Sequence, residues 1–497
     1  PISGSLDELI VSISWTLDKI DNREELRQTE GMNSDEHVTQ LMQFREQVYQ
    51  NFNKRADALM DLLDALSSQS RARSVVELSL ENCFRREHTS VFKAIASYSP
   101  KWMRKSLAQL ASPCLPRPQH RSFWALGVDT TPQPRPYAQT LKDRGYVYQP
   151  ALLQSNKPVT IGHCYSEVAL LPEREVQQGS AWVVPLSCQR VNSAEDKELA
   201  GAIQMNVLLD DPALPFHNQL CVEVGDTSYS KPKYLFANRP LSNLVSLVRV
   251  RSTRTFHRKA DPSGRKCSSG HPAWYGAAFS LKDPQTWPAP DEIANTTTTS
   301  RRGRVYQVKI EAWHDMLMRG KRKPIYIPMH RYPFTLVRIC LYNANGALAY
   351  PQALWVIVMG EQRGTLNLLD IYTTYDQRYD LEHFFRFGKQ RLLLDGFQTP
   401  EVEHEENWWE LAHLAYLQLW VARPYAENHP HPWEGSLSAS KTQSLSPTRV
   451  QRDFGRIIRQ IGTPAVLPKR RGYSPGRPKG TVLARRPRLP PVFKGFT

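Results

Sequence analysis

The apolar positions of this chain follow three rhythms in succession, each predicting a different kind of structure. Over residues 1–113 they recur at helical spacing: Leu6, Leu9, Ile10, Ile13, Leu17 and Ile20 behind a capping-box pattern at Ser5 and Glu8, then a helix-period stretch over 37–66, a short helix from Ser74 and a further N-cap at Thr89 and Ser90. A plain helical bundle is expected, with a helix-turn-helix around residues 82–88 as a looser fit. Pro116 and Pro118 then break the pattern into a linker.

From residue 122 the texture changes to short apolar strands, at 123–128, 159–162, 182–186, 220–225 and 244–250, alternating with turns and with helices over 196–208 and from Ser230. This alternation predicts an α/β domain. Between 252 and 368 the chain becomes rich in Trp, Pro and Arg, with a hairpin signal at Asn343-Ala-Asn345-Gly346 between two apolar runs, which predicts a β-rich insertion. Helical spacing returns around residue 382 and again over 405–423, followed by a Pro-, His- and Ser-rich linker over 424–446 and a short basic helix over 448–461. The expected organisation is a helical N-terminal domain (1–113, for DNA binding), an α/β domain in two pieces (120–251 and 369–424), the insertion (252–368), and a basic C-terminal helix and tail (447–497).

Charge narrows the partner. Lys and Arg number 64 against 48 Asp and Glu, a formal net charge of +16, which favours an anionic polymer. The last segment, 464–497, holds nine Lys or Arg, seven prolines and no acid, so it cannot build a core and is expected to be disordered when free. Within it Pro475-Gly-Arg477-Pro-Lys479-Gly480 is similar to an AT-hook core, in which Arg477 and Lys479 would lie in a narrow minor groove; the alternative is an ordinary basic tail, and both put it on DNA. Seven cysteines without any Cys-x-x-Cys pair suit a reducing compartment, and His257, Cys267 and His271 lack a fourth zinc ligand at usual spacing. No apolar run approaches the ~20 residues needed to span a bilayer, so a soluble, cytoplasmic, nucleoid-associated protein is expected, with no membrane partner.

The candidate chemistry lies in carboxylates. The strand at 123–128 ends on Asp129 and the strand at 220–225 ends on Asp226, while Glu382 stands on a helix that closes the α/β domain. Three acids so distributed are what two-metal phosphoryl transfer needs, with two Mg²⁺ ions about 4 Å apart activating the attacking oxygen and stabilising the leaving one. Taken singly, an aspartate at a strand end is often a turn or cap residue. Asp210 and Asp211 sit in a loop before Pro212, and alternation turns Glu223 sideways within its strand. Around Glu382 runs Tyr375-x2-Arg378-x3-Glu382-x6-Lys389, whose offsets fall within roughly 60° of one another on a single helix. The alternative reading of that run is the polar margin of an amphipathic helix.

Asp129-Thr130-Thr131, Asp226 and Glu382, together with the Tyr-Arg-Glu-Lys run, resemble the IS-four-like bacterial insertion-sequence transposases over about residues 120–425. The resemblance implies a ribonuclease-H-like catalytic core interrupted by a β-rich insertion, with Asp129, Asp226 and Glu382 as ligands of two Mg²⁺ ions (Mn²⁺ as a substitute). It implies cut-and-paste transposition of double-stranded transposon ends into target DNA through a DNA hairpin, within a homodimeric synaptic complex. Tyr375, Arg378 and Lys389 would grip the cleaved end, and Trp355 would stack on a base flipped from the hairpin; the alternative for Trp355 is a core-strand tryptophan. Two other functions stay open: a catalytically silent domesticated transposase acting as a DNA-binding regulator, and a ribonuclease-H-like nuclease that cuts without joining.

Overall fold

A computed structural model describes residues 36–99, 107–149, 158–174, 180–260, 273–300, 302–321, 323–429, 445–469, 478–482 and 484–492. Ser5, Glu8, Cys267, His271 and Arg477 lie outside the described residues.

The centre of the molecule is a ten-stranded sheet. Its first strands form an antiparallel meander, β1 (Trp124–Pro134), β3 (Val159–Leu170) and β4 (Val184–Val191), with the short β2 (Gly145–Tyr148) on the far part of β3. Helix α5 (Lys197–Asp210), capped by Asp196, leads across one face to β5 (Cys221–Gly225), and α6 (Pro232–Ala237) to β6 (Leu244–Val250). Both strands join in parallel, giving the order β4-β3-β1-β5-β6. This mixed α/β arrangement is consistent with the expected ribonuclease-H-like core.

The insertion is less separate than its composition suggests. Among the described residues, only β7 (Thr255–Lys259) and β8 (Tyr275–Ser280) form a sheet of their own. The remaining strands, β9 (Glu292–Thr299), β10 (Val305–Met316), β11 (Phe334–Tyr342) and β12 (Leu354–Met359), extend the main sheet, because β12 pairs antiparallel with β6. The expected turn is present: Gly346 takes φ +77° and Asn343 N–H donates to the Ala347 carbonyl, returning β11 towards β12.

Nor does the helical segment stand apart. The helix over residues 36–51 (α1) and α2 (Ala56–Ser68) pack on α9 (Val402–Asn428) and α10 (Pro447–Ile461); among them Gln418 donates to Ser67 Oγ at 3.0 Å and accepts from Arg45 at 3.0 Å, beside the buried Arg45–Asp64 ion pair. A short 3₁₀ helix (Val75–Leu80) and α3 (His88–Ala96) flank residues 81–87, where two helices were expected. Helix α9 lies between this bundle and the sheet, which explains why it is apolar almost all round: Trp409 stacks on Tyr165 of β3 at 3.7 Å on one side, and Gln418 meets the bundle on the other.

The basic tail is a correction. Residues 486–492 are docked: Leu489 N–H donates to the Gln139 carbonyl at 2.9 Å, Val492 N–H to that of Arg144 at 2.7 Å, and Arg486 pairs with Glu401. Backbone hydrogen bonds to a neighbouring loop need no apolar core, so composition does not reveal them.

Candidate functional site

Asp129 lies within β1, which continues to Pro134 instead of ending there. It stands where its neighbour stops: the β1–β5 pairing closes at Gly127 and Val224, and two residues further on stand Asp129 and Asp226, where the strands part. Asp226 follows the last residue of β5 and caps the 3₁₀ turn Thr227–Ser230, accepting from Ser228 N–H at 2.7 Å. Asp129 accepts from the N–H of its own neighbour, Thr130, at 2.7 Å.

The third carboxylate arrives on a helix that lies directly on β1. Leu381 of α8 (Tyr379–Arg391) occupies the space over Gly127: a Cβ there would stand 2.6 Å from Leu381 Cδ1. Because Gly127 precedes Asp129 by two residues on the same face, this contact carries Glu382 to the aspartates. Asp129 feels the other two acids. Burial, then the charge of Asp226, with Glu382 adding, pushes the Asp129 carboxyl up to about 7, against the opposing pull of Thr130 N–H and Arg378.

The Tyr-Arg-Glu-Lys run departs from its expected form. It is split between α7 (Leu368–Asp376) and α8, because Gln377, Arg378, Asp380 and Leu381 donate to carbonyls three residues back instead of four. Such a tightened turn advances each residue by about 120° instead of 100°, so the four side chains are carried on two helices joined at a turn and not on one continuous helix. Arg174, 2.7 Å from Asp380 and 3.3 Å from Asp376, pins this junction to the loop after β3. Tyr375 is 2% exposed, and burial pushes its phenol up to about 12. Arg378, 7% exposed, donates to Glu382 at 2.8 Å; burial opposes its charge, yet Tyr375, Glu382 and Asp129 outweigh that and hold it above its usual range. Glu382 itself is 46% exposed. Lys389 donates to the Pro132 carbonyl at 3.0 Å, and burial lowers its affinity for its proton.

Trp355 sits elsewhere. On β12 it is 3% exposed, with its ring 5.2 Å from Trp287, 5.7 Å from Trp313 and 6.1 Å from Phe279. Such an aromatic core leaves no face for a flipped base in this conformation, so the core-strand alternative holds here. Lys479 is exposed in the tail. Glu223 is buried and satisfied by Tyr234 and Asn238, each at 2.7 Å, which accounts for its separation from the acidic set.

Against this geometry, the family described as DDE superfamily endonuclease matches residues 47–320, more than half of the 497-residue chain. The chain belongs to that family. The match takes in Asp129 and Asp226 and stops short of Glu382, whose place rests on the contact of α8 with β1. Comparison with curated proteins finds no match. DDE endonucleases are enzymes of the nuclease and transposase type and generally use divalent metals, and a set of three carboxylates is a hard-oxygen donor set that suits such ions. Among the described residues no helix is long and apolar enough to cross a membrane.

A second network around the sheet escaped the sequence pattern. Glu405 of α9 takes an ion pair from Arg135 at 2.8 Å, a contact from His163 Nδ1 at 2.6 Å and a hydrogen bond from Tyr165 at 3.0 Å, all buried. Its members come from β3, from the turn after β1 and from α9, so no local spacing could announce them.

Proposed function

We propose that this DDE endonuclease is a cut-and-paste DNA transposase of the IS-four-like kind. The observation that carries the reading is the Asp129–Asp226 pair: two carboxylates side by side, one pushed up to about 7 by burial and by its partner, form a site whose charge a divalent cation would neutralise. Asp129, Asp226 and Glu382 would hold two Mg²⁺ ions, with Mn²⁺ as a substitute. When bound, the ions supply activation of the attacking oxygen and stabilisation of the leaving one.

The protein's own part is orientation and counter-charge. Arg378, which donates to Glu382, would hold that carboxylate in position for the ions and place a fixed cation beside the reacting phosphate. Tyr375, too buried to touch a duplex, supports Arg378. Lys389, through the Pro132 carbonyl, ties α8 to the end of β1 and orients the strand end. Double-stranded transposon ends and target DNA are the partners, with two copies of the chain in the synaptic complex. A hairpin intermediate rests on the resemblance alone, since Trp355 is occupied in the core.

The test is incubation of the flanking DNA ends with the full chain and Mg²⁺, followed by denaturing gels. Asp226→Asn and Glu382→Gln each remove a ligand charge and little volume, so each should lower cleavage by orders of magnitude while leaving DNA binding and melting temperature nearly unchanged. Substantial cleavage by Asp226→Asn would remove it from the site. Binding without cleavage by the natural chain would assign a silent regulator, and cleavage without joined products a nuclease.

A further inference from the structure

Next to the three acids, on the β4 side of the sheet, lies a second set of metal-binding side chains. Glu167 of β3, Cys188 of β4 and His413 of α9 bring one ligand atom each within 4.8 Å of one another. Donors on one tetrahedral zinc ion are roughly 3.3–3.8 Å apart, so the set closes onto an ion by small side-chain movements. Glu167 and Cys188 are direct neighbours in the β3–β4 register, and α9 lowers His413 onto them from the same face.

Two details point to a cation. His413 Nδ1 lies 2.7 Å from the Trp409 carbonyl, which can only accept, so Nδ1 carries the hydrogen and Nε2 is turned to Glu167 Oε2 at 2.8 Å. A backbone carbonyl on the far nitrogen is the outer support that metal-bound histidines ordinarily have. The other carboxylate oxygen, Glu167 Oε1, is buried and has no N–H or O–H partner among the described residues, and only the weak thiol donor of Cys188 is set against this carboxylate. A buried carboxylate that meets His413 on one side and nothing stronger than a thiol on the other is under-satisfied, and a cation held among the three side chains would complete it.

We propose that Glu167, Cys188 and His413 form a zinc site, distinct from the carboxylate site, with its fourth position open to water. Cys188 and Glu410 line a cavity of about 540 Å³ between β4, α5 and α9, which supplies both the entry path and the room for that water. The thiolate decides the metal: sulfur favours zinc, whereas the acids around Asp129 offer only oxygen and favour Mg²⁺. Zinc here clamps α9 to β3 and β4. Since Glu167 stands opposite Asp129 in the β1–β3 register, the clamp stiffens the strand beside the reacting carboxylate.

The experiment uses the full chain purified without chelator. Elemental analysis should find about one zinc per chain, and replacement by Co²⁺ should give an intense thiolate-to-cobalt charge-transfer band in the near ultraviolet. Carboxylates alone cannot produce that band, so Asp129→Asn and Cys83→Ser should keep it even if the transposase reading fails. Cys188→Ser should abolish the band and weaken Co²⁺ binding more than about 100-fold, beyond the ~10- to 100-fold of an outer-sphere change. Should Cys188→Ser fail to fold by circular dichroism, Glu167→Gln must still weaken binding at least about tenfold. Absence of zinc and of the band in the natural chain, a band that survives Cys188→Ser, or undiminished binding in Glu167→Gln would each overturn the proposal and leave a hydrogen-bonded Glu–His pair.

Discussion

Asp129→Asn should stabilise the metal-free protein at neutral and alkaline pH, the opposite of what a core substitution usually does. Asp129 titrates at about 7 in the folded chain against 3.8 for an ordinary aspartate, so the folded state binds its proton more tightly than the unfolded state. Its contribution to stability is therefore full below pH 3.8 and is lost as pH rises through about 7. A tenfold change in an equilibrium is worth about 1.4 kcal/mol, which sets a ceiling of roughly 4 kcal/mol on the penalty of ionising this group at alkaline pH. Between pH 5 and pH 8 the variant should gain about 2 kcal/mol relative to the natural chain, since water entry and relaxation around the half-buried carboxylate take up part of the ceiling. Urea titrations of both proteins in Mg²⁺-free buffer at these two pH values measure the difference, and titrating groups that do not interact with Asp129 cancel in it. A second arm adds Mg²⁺ at pH 8. Saturation at 100 times the dissociation constant would stabilise the natural chain by about 2.7 kcal/mol, with a much smaller effect on the variant. A stability difference that does not change with pH, or equal stabilisation of both proteins by Mg²⁺, would refute the reasoning.

Gly127→Ala should push Leu381 off β1, since the added methyl would stand 2.6 Å from its Cδ1; a loss of about 1–3 kcal/mol in urea and a fall in cleavage rate at unchanged DNA affinity are expected. Trp355→Ala should cost about 3–5 kcal/mol and lower nicked and hairpin products together, whereas loss of the hairpin alone would restore a role in base stacking. Replacing Lys479, Arg485 and Arg488, all exposed in the tail, by Gln should flatten the plot of log K against log salt by up to about 2.7 if all three neutralise phosphates, and an unchanged slope would place that tail off the DNA.

Several elements were legible from local pattern. The strands over 220–225 and 244–250, the turn at Asn343–Gly346 and the helix expected over 448–461 appear almost as spaced, at Cys221–Gly225, Leu244–Val250 and Pro447–Ile461. Each is governed by its own residues: a continuous apolar run between turns, an Asn-Gly pair, a helical stripe. The role of Glu223 was legible too, because alternation along a strand is a local property.

The run around Glu382 marks the limit of that legibility. Its spacing suits one helix, but Arg174 from the loop after β3 and the buried Tyr375 favour a tightened turn, and a three-residue hydrogen bond changes the phase of everything after it. Where β1 parts from its neighbour was likewise set by β5, whose pairing with it closes at Val224, and not by an end of β1 itself. By itself the sequence determined a basic α/β protein with acids on separate elements, because alternation, helical stripes and charge are written residue by residue. Only the tertiary structure decided that Asp129, Asp226 and Glu382 share one field, that Trp355 is spent on the core, and that Glu167, Cys188 and His413 meet. Those outcomes depend on strand register and on which helix covers which face, and both are fixed by packing between segments far apart in the sequence.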